Sequence, residues 1–416
     1  MASPGPHLEE IAHLALEIGR ILFQNNASTE EVQDAVSRFT RAFDCDAHLI
    51  VTYESMLLTL DSNHQFRTRV GNRVPSMNVN LAAVTSAREL VARVEAGLRD
   101  LAEIRRLAES IEHSPPLYSR WVVMIALSLT AASLSRLFGG DWPTFFVAFV
   151  AGMAGTWLRQ EMGARAMNPF LTAFVAALVS GIVGGLAVWL NFSDLPSLCL
   201  AAPGMIIVPG VPFVNGVQDM LKNHMSIGIS RLGLAILITL AIAFGLFGAT
   251  AITGADFPVN EPSHLPSLPE DALFSALAAL GYLFLFNVPL RLAWVGILCG
   301  VASHTTRTFC LLHGIDIVTG SLIGAVVVGF LAQGFARSFR APASAFAFAG
   351  VVAMIPGAFA FRSVIGYLQI VSAGASAAPT LVAETVALSV TVVLMVLVIA
   401  LGVAAPSLLF PNRRPS

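Results

Sequence analysis

Two patterns divide the chain. Up to about Glu112, charged and apolar residues alternate as in a water-soluble domain, whereas Trp121 to Phe410 is a succession of apolar runs. In the first part, residues 7–23 and 29–43 carry apolar side chains at helical spacing, with Ser28 or Thr29 ahead of Glu30 and Glu31 as a helix start. Residues 47–60, rich in Val, Ile, Tyr, Thr and Leu, read as a strand, and residues 65–70 alternate so as to pair with it. Helical spacing returns over 81–97 and 98–111, and Pro115-Pro116 closes a small α+β domain, 1–116.

A helix needs roughly 20 apolar residues to cross a bilayer. Spans are predicted near 119–138, 142–158, 169–190, 197–217 and 227–249, and again near 272–288, 290–303, 315–333, 343–367 and 380–401. The expected fold is therefore a polytopic α-helical membrane protein of about ten spans. Its first transmembrane repeat covers 117–250, an external loop 251–271, and a second repeat 272–410. With the amino-terminal domain placed in the cytosol, Arg159, Arg165, Lys222, Arg291, Arg337, Arg340, Arg413 and Arg414 fall on the cytosolic side, as do Arg120 and Arg231 at inner span ends. Arg136, Arg307 and Arg362 fall outside or within the membrane. The loop has no Lys or Arg but carries Asp256, Glu261, Glu270 and Asp271. This is the charge bias of an inner-membrane protein with a cytoplasmic amino terminus.

The halves resemble each other at a spacing of about 147 residues, too long for a solenoid. Pro209-Gly210 lines up with Pro356-Gly357, Gly152 with Gly300, and Asn168 with Asp316. Five spans per half, an odd number, would turn the copies in opposite directions, the inverted repeat common among secondary transporters.

Composition agrees. The chain is 56% hydrophobic and 12% charged, with a mean hydropathy of +0.74, half the charge of an ordinary soluble protein. A net charge of −2 gives no support to nucleic-acid binding. The first 26 residues contain Glu9, Glu10 and Glu17 and do not read as a signal peptide. Cys45, Cys199, Cys299 and Cys310 form no CxxC pair, and His13, His48 and His64 lack ligand spacing, so neither metal nor cofactor is expected.

The chemistry lies in the interrupted spans. Proline removes a backbone donor and glycine lets the chain unwind, so Pro209-Gly210 and Pro356-Gly357 predict broken helices whose ends can hold a substrate, unless they are simple packing kinks. Nearby polar residues are Asn215, Asp219 and Arg362. Arg362 is suited to a carboxylate, and Asp219 either carries a proton or is solvated beside Lys222. Asn168 and Asp316 open spans and read first as helix caps, with Asp316 and Glu384 further carboxylates for a coupling proton. His304, Thr305, Thr306, Arg307 and His313 form a polar group that is either a proton path or an external hairpin. No GKT, GKS, HExxH or GxSxG motif is present, so no catalytic residue is assigned.

Three stretches carry a resemblance to a known family: ALEIGRILFQNNASTEEVQDAVSRFTRAF, RTRVGNRVPSMNVNLAAVTSARELVARVEAGLRDLAEI and VPGVPFVNGVQDMLKNHMSIGISRL. Through them, and over almost its whole length, the chain resembles the threonine/serine exporter family, departing from it at Asn25-Asn26, where that family has a small residue and a glycine. The resemblance carries over onto Pro209, Gly210, Asn215, Asp219 and Arg231. The second half resembles the family's smaller companion domain. It implies export of threonine or serine driven by the proton-motive force, with a dicarboxylate such as succinate as alternative cargo. The partners expected are a small carboxylate-bearing solute and the lipid bilayer, with room for a homo-oligomer. A membrane-anchored hydrolase-like enzyme and a solute channel are the readings from other classes.

Overall fold

The computed structural model describes residues 6–62, 65–71, 78–259, 264–339 and 341–410; His64, Glu261, Arg340, Arg413 and Arg414 lie outside the described residues. The chain forms two compact units. The first takes in residues up to Leu117 with Gln218–Arg231 and Phe286–Pro289, and the second takes in the rest.

The first unit opens with α1 (Pro6–Gln24) and α2 (Thr29–Arg41). Ser28 caps α2: its hydroxyl accepts from the Glu31 amide while the Glu31 carboxylate accepts from the Ser28 amide. Between the helices Asn26 has φ 67°, the left-handed region in which glycine and asparagine are least strained. Asparagine takes this conformation where the resemblance leads one to expect glycine. The expected single strand over 47–60 is two, β1 (Asp46–Val51) and β2 (Met56–Ser62), followed by β3 (Gln65–Val70). The chain reverses at Thr52–Ser55, where the Thr52 hydroxyl donates to the Ser55 carbonyl (2.8 Å) and accepts from the Ser55 amide (3.0 Å). The antiparallel sheet β1-β2-β3 turns Met56, Leu58 and Leu60 inward, where they are buried along with Leu14, Ile18 and Phe39. The helices α3 (Leu81–Glu95) and α4 (Leu101–Glu112) complete the amino-terminal part. Asn287 belongs here too, donating to the Asn80 side chain (2.8 Å) and accepting from the Leu117 amide (2.8 Å).

The membrane part runs through α5 (Arg120–Leu137), α6 (Trp142–Ala164), α7 (Pro169–Trp189), α8 (Pro196–Met205), α9 (Gly210–Leu221) and α10 (Met225–Thr253). It continues through α11 (Leu268–Leu285), α12 (Leu290–Leu312), α13 (Ile317–Phe339), α14 (Ala343–Val351), α15 (Gly357–Ala373) and α16 (Pro379–Leu409). Among the described residues eight helices are long and apolar enough to cross a membrane, nine with α8 and α9 counted as one span bent by 64°. Leu237, Phe244, Val390, Val393 and Leu397 point outward, as a lipid-facing surface requires. Small residues lie between helices: a Cβ on Gly181 would come within 2.7 Å of Ala249 on α10.

Candidate functional site

The two Pro-Gly pairs end their helices in the same way. Without an N–H on Pro209, α8 closes in a turn, and the Gly210 amide folds back onto the Val208 carbonyl (2.8 Å) as α9 begins. At Pro356 the Gly357 amide does the same to Ile355 (2.7 Å), following a single 3-10 turn, Val352–Met354. The two breaks lie against each other. A Cβ on Gly210 would meet the Ile355 Cδ1 at 2.4 Å, and one on Gly357 would meet the Val208 Cγ2 at 3.0 Å. A cavity lies at this crossing, lined by Leu134 and Phe138 of α5, Met205, Val208, Gly210, Tyr282 of α11, Val352, Ala353 and Ile355. A water-sized sphere can move its centre through only about 10 Å³ of it, so this conformation closes the crossing on anything larger than a water. Among the described residues Tyr282 brings the single polar side chain to that lining, a residue that its apolar neighbours in the sequence do not single out.

The sequence-predicted residues separate around this point. Gly210 lines the cavity, and Pro209, Pro356 and Gly357 shape it. Asn215 is buried in the second turn of α9. Arg362, on α15, is half-buried and donates through Nε to the Val259 carbonyl (2.6 Å), while Gln369 holds the Phe257 carbonyl (3.1 Å), so this helix face grips the connection before α11. Glu384 is half-buried on α16. Asn168 and Asp316 both cap helices: Asn168 accepts from the amides of Phe170 (2.9 Å) and Leu171 (3.3 Å), Asp316 from those of Val318 (2.9 Å) and Thr319 (3.0 Å).

Asp219 and Arg231 sit in the first unit. Neither is solvated: they are 1% and 0% exposed, with Asp219 Oδ2 3.4 Å from Arg231 Nη1, an ion pair without hydrogen-bond geometry. Both hold the turn between α1 and α2. The Thr29 amide donates to Asp219 Oδ1 (3.2 Å), Arg231 Nη2 donates to the Ala27 carbonyl (2.9 Å), and the guanidinium lies 5.1 Å from the Phe23 ring centre. Lys222 pairs with Glu30 instead.

A further polar group was only half legible. Because α11 starts at Leu268, Glu270 and Asp271 lie in its first turn, and Asp271 is fully buried. Because α12 runs unbroken to Leu312, His304 and Arg307 are inside a helix, not in a hairpin. His304 Nδ1 donates to Asp271 Oδ2 (2.8 Å), and Arg307 Nη2 faces His304 Nε2. Glu270 pairs with Arg136, whose guanidinium lies 4.9 Å from the Trp142 ring centre. Among the described residues no group of three His, Cys, Asp or Glu side chains is placed to hold a metal.

Comparison with known proteins follows the same lines. A family model for threonine/serine exporters matches residues 13–253, and a second, described as Threonine/Serine exporter, matches 271–409. The chain is 29% identical over 249 residues to the "Probable succinate transporter subunit YjjP" of Escherichia coli, which covers 59% of this chain and 95% of that protein. It is 22% identical over 373 residues to the "Threonine/serine exporter" of Corynebacterium glutamicum, 86% of this chain and 76% of that one. With the "Probable threonine/serine exporter" of Mycobacterium tuberculosis it shares 23% over 378 residues, 87% of this chain and 70% of the relative. No solved structure matches it. Matched by the first model over more than half its length, the chain belongs to the threonine/serine exporter family.

Proposed function

We propose that the protein is a secondary exporter of threonine and serine, coupled to protons, which passes its substrate between the two broken helices. The observation that carries this reading is the reciprocal packing of Gly210 on Ile355 and Gly357 on Val208 beside a closed cavity. Interrupted helices expose backbone groups that lipid cannot satisfy, so they are kept where a substrate or ion replaces the missing bonds. Opening the crossing would give a small solute the backbone of α9 and α15 and the Tyr282 hydroxyl. Asn215 meets its polar part and Arg362, released from Val259, its carboxylate. Of the acids first considered for the proton, Asp219 is engaged with Arg231 and Asp316 with its cap.

The architecture proposed is ten passes in two inverted five-helix repeats. The 23 residues of α6 suffice for a pass, and α14 with α15 make one broken pass. Supporting the repeat, Gly152 packs on Ala131 (3.0 Å to a built Cβ) and Gly300 on Ala279 (2.6 Å), at one offset along the chain. The excess of arginine and lysine on one side supports an inner-membrane protein whose amino-terminal domain is in the cytoplasm.

A specific observation also favours succinate: the relative named for it matches 59% of this chain at 29% identity. Counterflow of labelled threonine, serine and succinate in proteoliposomes decides between them. Saturable exchange of threonine and serine, with succinate inert, is the expected result. Succinate exchange alone changes the substrate, and failure of all three in folded protein refutes the transporter reading of the crossing.

A further inference from the structure

The buried group around His304 stands apart from the crossing, and no relative's name gives it a task. We propose that Asp271 and His304 form the proton-binding site of the transport cycle, with the Arg307 guanidinium as the group displaced when His304 takes up a proton. The proposal rests on the proton-coupled reading above and gives it a location.

The neighbours fix the protonation pattern. A guanidinium only donates, so His304 Nε2, facing Arg307 Nη2, presents a lone pair. The ring proton is therefore on Nδ1, where Asp271 Oδ2 accepts it at 2.8 Å. Asp271 further accepts from Thr308 (2.6 Å), Thr305 (3.1 Å) and Ser275 (3.3 Å), a set of donors suited to a carboxylate. One cation, one anion and a neutral imidazole leave the group without net charge inside the membrane, where an uncompensated charge is costly. Asp271 and His304 are 0% exposed and Thr308 is 2% exposed, so the ligand this pair can take is one that needs no volume.

A proton reaching His304 Nε2 finds that position occupied by the Arg307 N–H, and two donors cannot face each other. Arg307 must withdraw, and little holds it back. It is 4% exposed, yet among the described residues its Nε and Nη1 have no hydrogen-bond partner. The Ser321 hydroxyl on α13 is also unpartnered, and it follows Gly320, where a Cβ would lie 3.6 Å from the Arg307 Cγ. The incomplete bonding of a buried cation is what a group with a second resting place would leave. Among the described residues, the other charged groups on the elements packed against this part of α12 are Glu270 beside Asp271 on α11, paired with Arg136 of α5, and Arg337 in the last turn of α13, with the exposed Asp316 ahead of that helix; α14 carries none. The site also connects to the crossing. Ser303, next to His304, donates to the Gly350 carbonyl (2.6 Å) in α14, the helix that leads into the second break.

The test measures protons moved per labelled threonine in proteoliposomes holding a pH-sensitive dye, with exchange at equal pH recorded beside it. His304→Gln and Asp271→Asn are expected to lower that ratio at least tenfold. Arg307→Gln is expected to raise the pH of half-maximal proton uptake by at least one unit, because no cation then opposes His304. A parental ratio in His304→Gln overturns the proposal. Should that variant fail to assemble, an unmoved midpoint in Arg307→Gln overturns it equally. A parent that exchanges threonine without moving protons removes both the coupling and this site while leaving the exporter reading intact.

Discussion

Gly210 approaches Ile355 so closely that a Cβ on the glycine would stand 2.4 Å from the isoleucine Cδ1, and Val352 closes the same space at 3.4 Å. Each helix break is thus the packing surface of the other, and the bulk of residue 210 sets how far the two can close. Gly210→Val puts two methyl groups into a cavity with room for one water. The expected outcome is protein that still inserts but transports at least tenfold more slowly. Initial rates of threonine counterflow, normalised to protein recovered by size-exclusion chromatography, check it.

Among the described residues Tyr282 brings the only polar side chain to the cavity lining. Tyr282→Phe keeps the ring and its packing and removes the hydroxyl. If the substrate meets that hydroxyl, its KM rises several-fold, as when one neutral hydrogen bond worth about 1 kcal/mol is lost. An unchanged KM would place the substrate elsewhere in the crossing.

The Asp219–Arg231 pair predicts a different phenotype, one of assembly. Removing one member leaves the other charge buried and unpaired, at a cost of about 3–5 kcal/mol. Asp219→Ala and Arg231→Ala should each lower the thermal unfolding midpoint of the purified protein markedly, whereas the joint change to Leu and Met should recover much of the loss. Equal midpoints in all variants would mean that the pair does not hold the turn at Ala27–Thr29.

Much of this was legible in the sequence because its cause is local. Proline followed by glycine ends the helix at 209 and 356, whereas Pro203 and Pro406 sit inside helices, and Ser28 with Glu31 announces a capped helix start. The reversal at Thr52–Ser55 escaped notice because a threonine hydroxyl makes it where glycine, proline or asparagine would be sought. Asp271 reads as a loop acid because it follows a proline-rich connection; its burial is decided by His304, 33 residues away. Asp219 reads either as a proton carrier or as solvated beside Lys222 for the same reason, since its partners at Thr29 and Arg231 belong to distant stretches of the chain.

The amino-terminal domain should lose stability in acid. Arg20, bonded to Glu112 at 2.5 Å, holds that carboxyl below the usual carboxylate range, and Arg38 does the same to Glu95. A depressed carboxyl pKa stabilises the fold above the unfolded value of about 4.3, and the contribution is lost as pH falls through the lower, folded value. Glu17, raised by burial, acts the opposite way and favours the fold as it protonates. Glu112→Gln should therefore lower stability by about 1–2 kcal/mol at neutral pH and by much less below pH 3, read from unfolding midpoints across that range.

The central claim is that the two breaks move apart to pass substrate. Cysteines placed by Gly210→Cys and Ile355→Cys, joined by a short thiol-specific cross-linker, test it most directly. The account predicts that cross-linking abolishes threonine counterflow and that cleaving the linker restores it. Full transport by the cross-linked protein would contradict the claim, because the substrate would then cross the membrane without opening this contact.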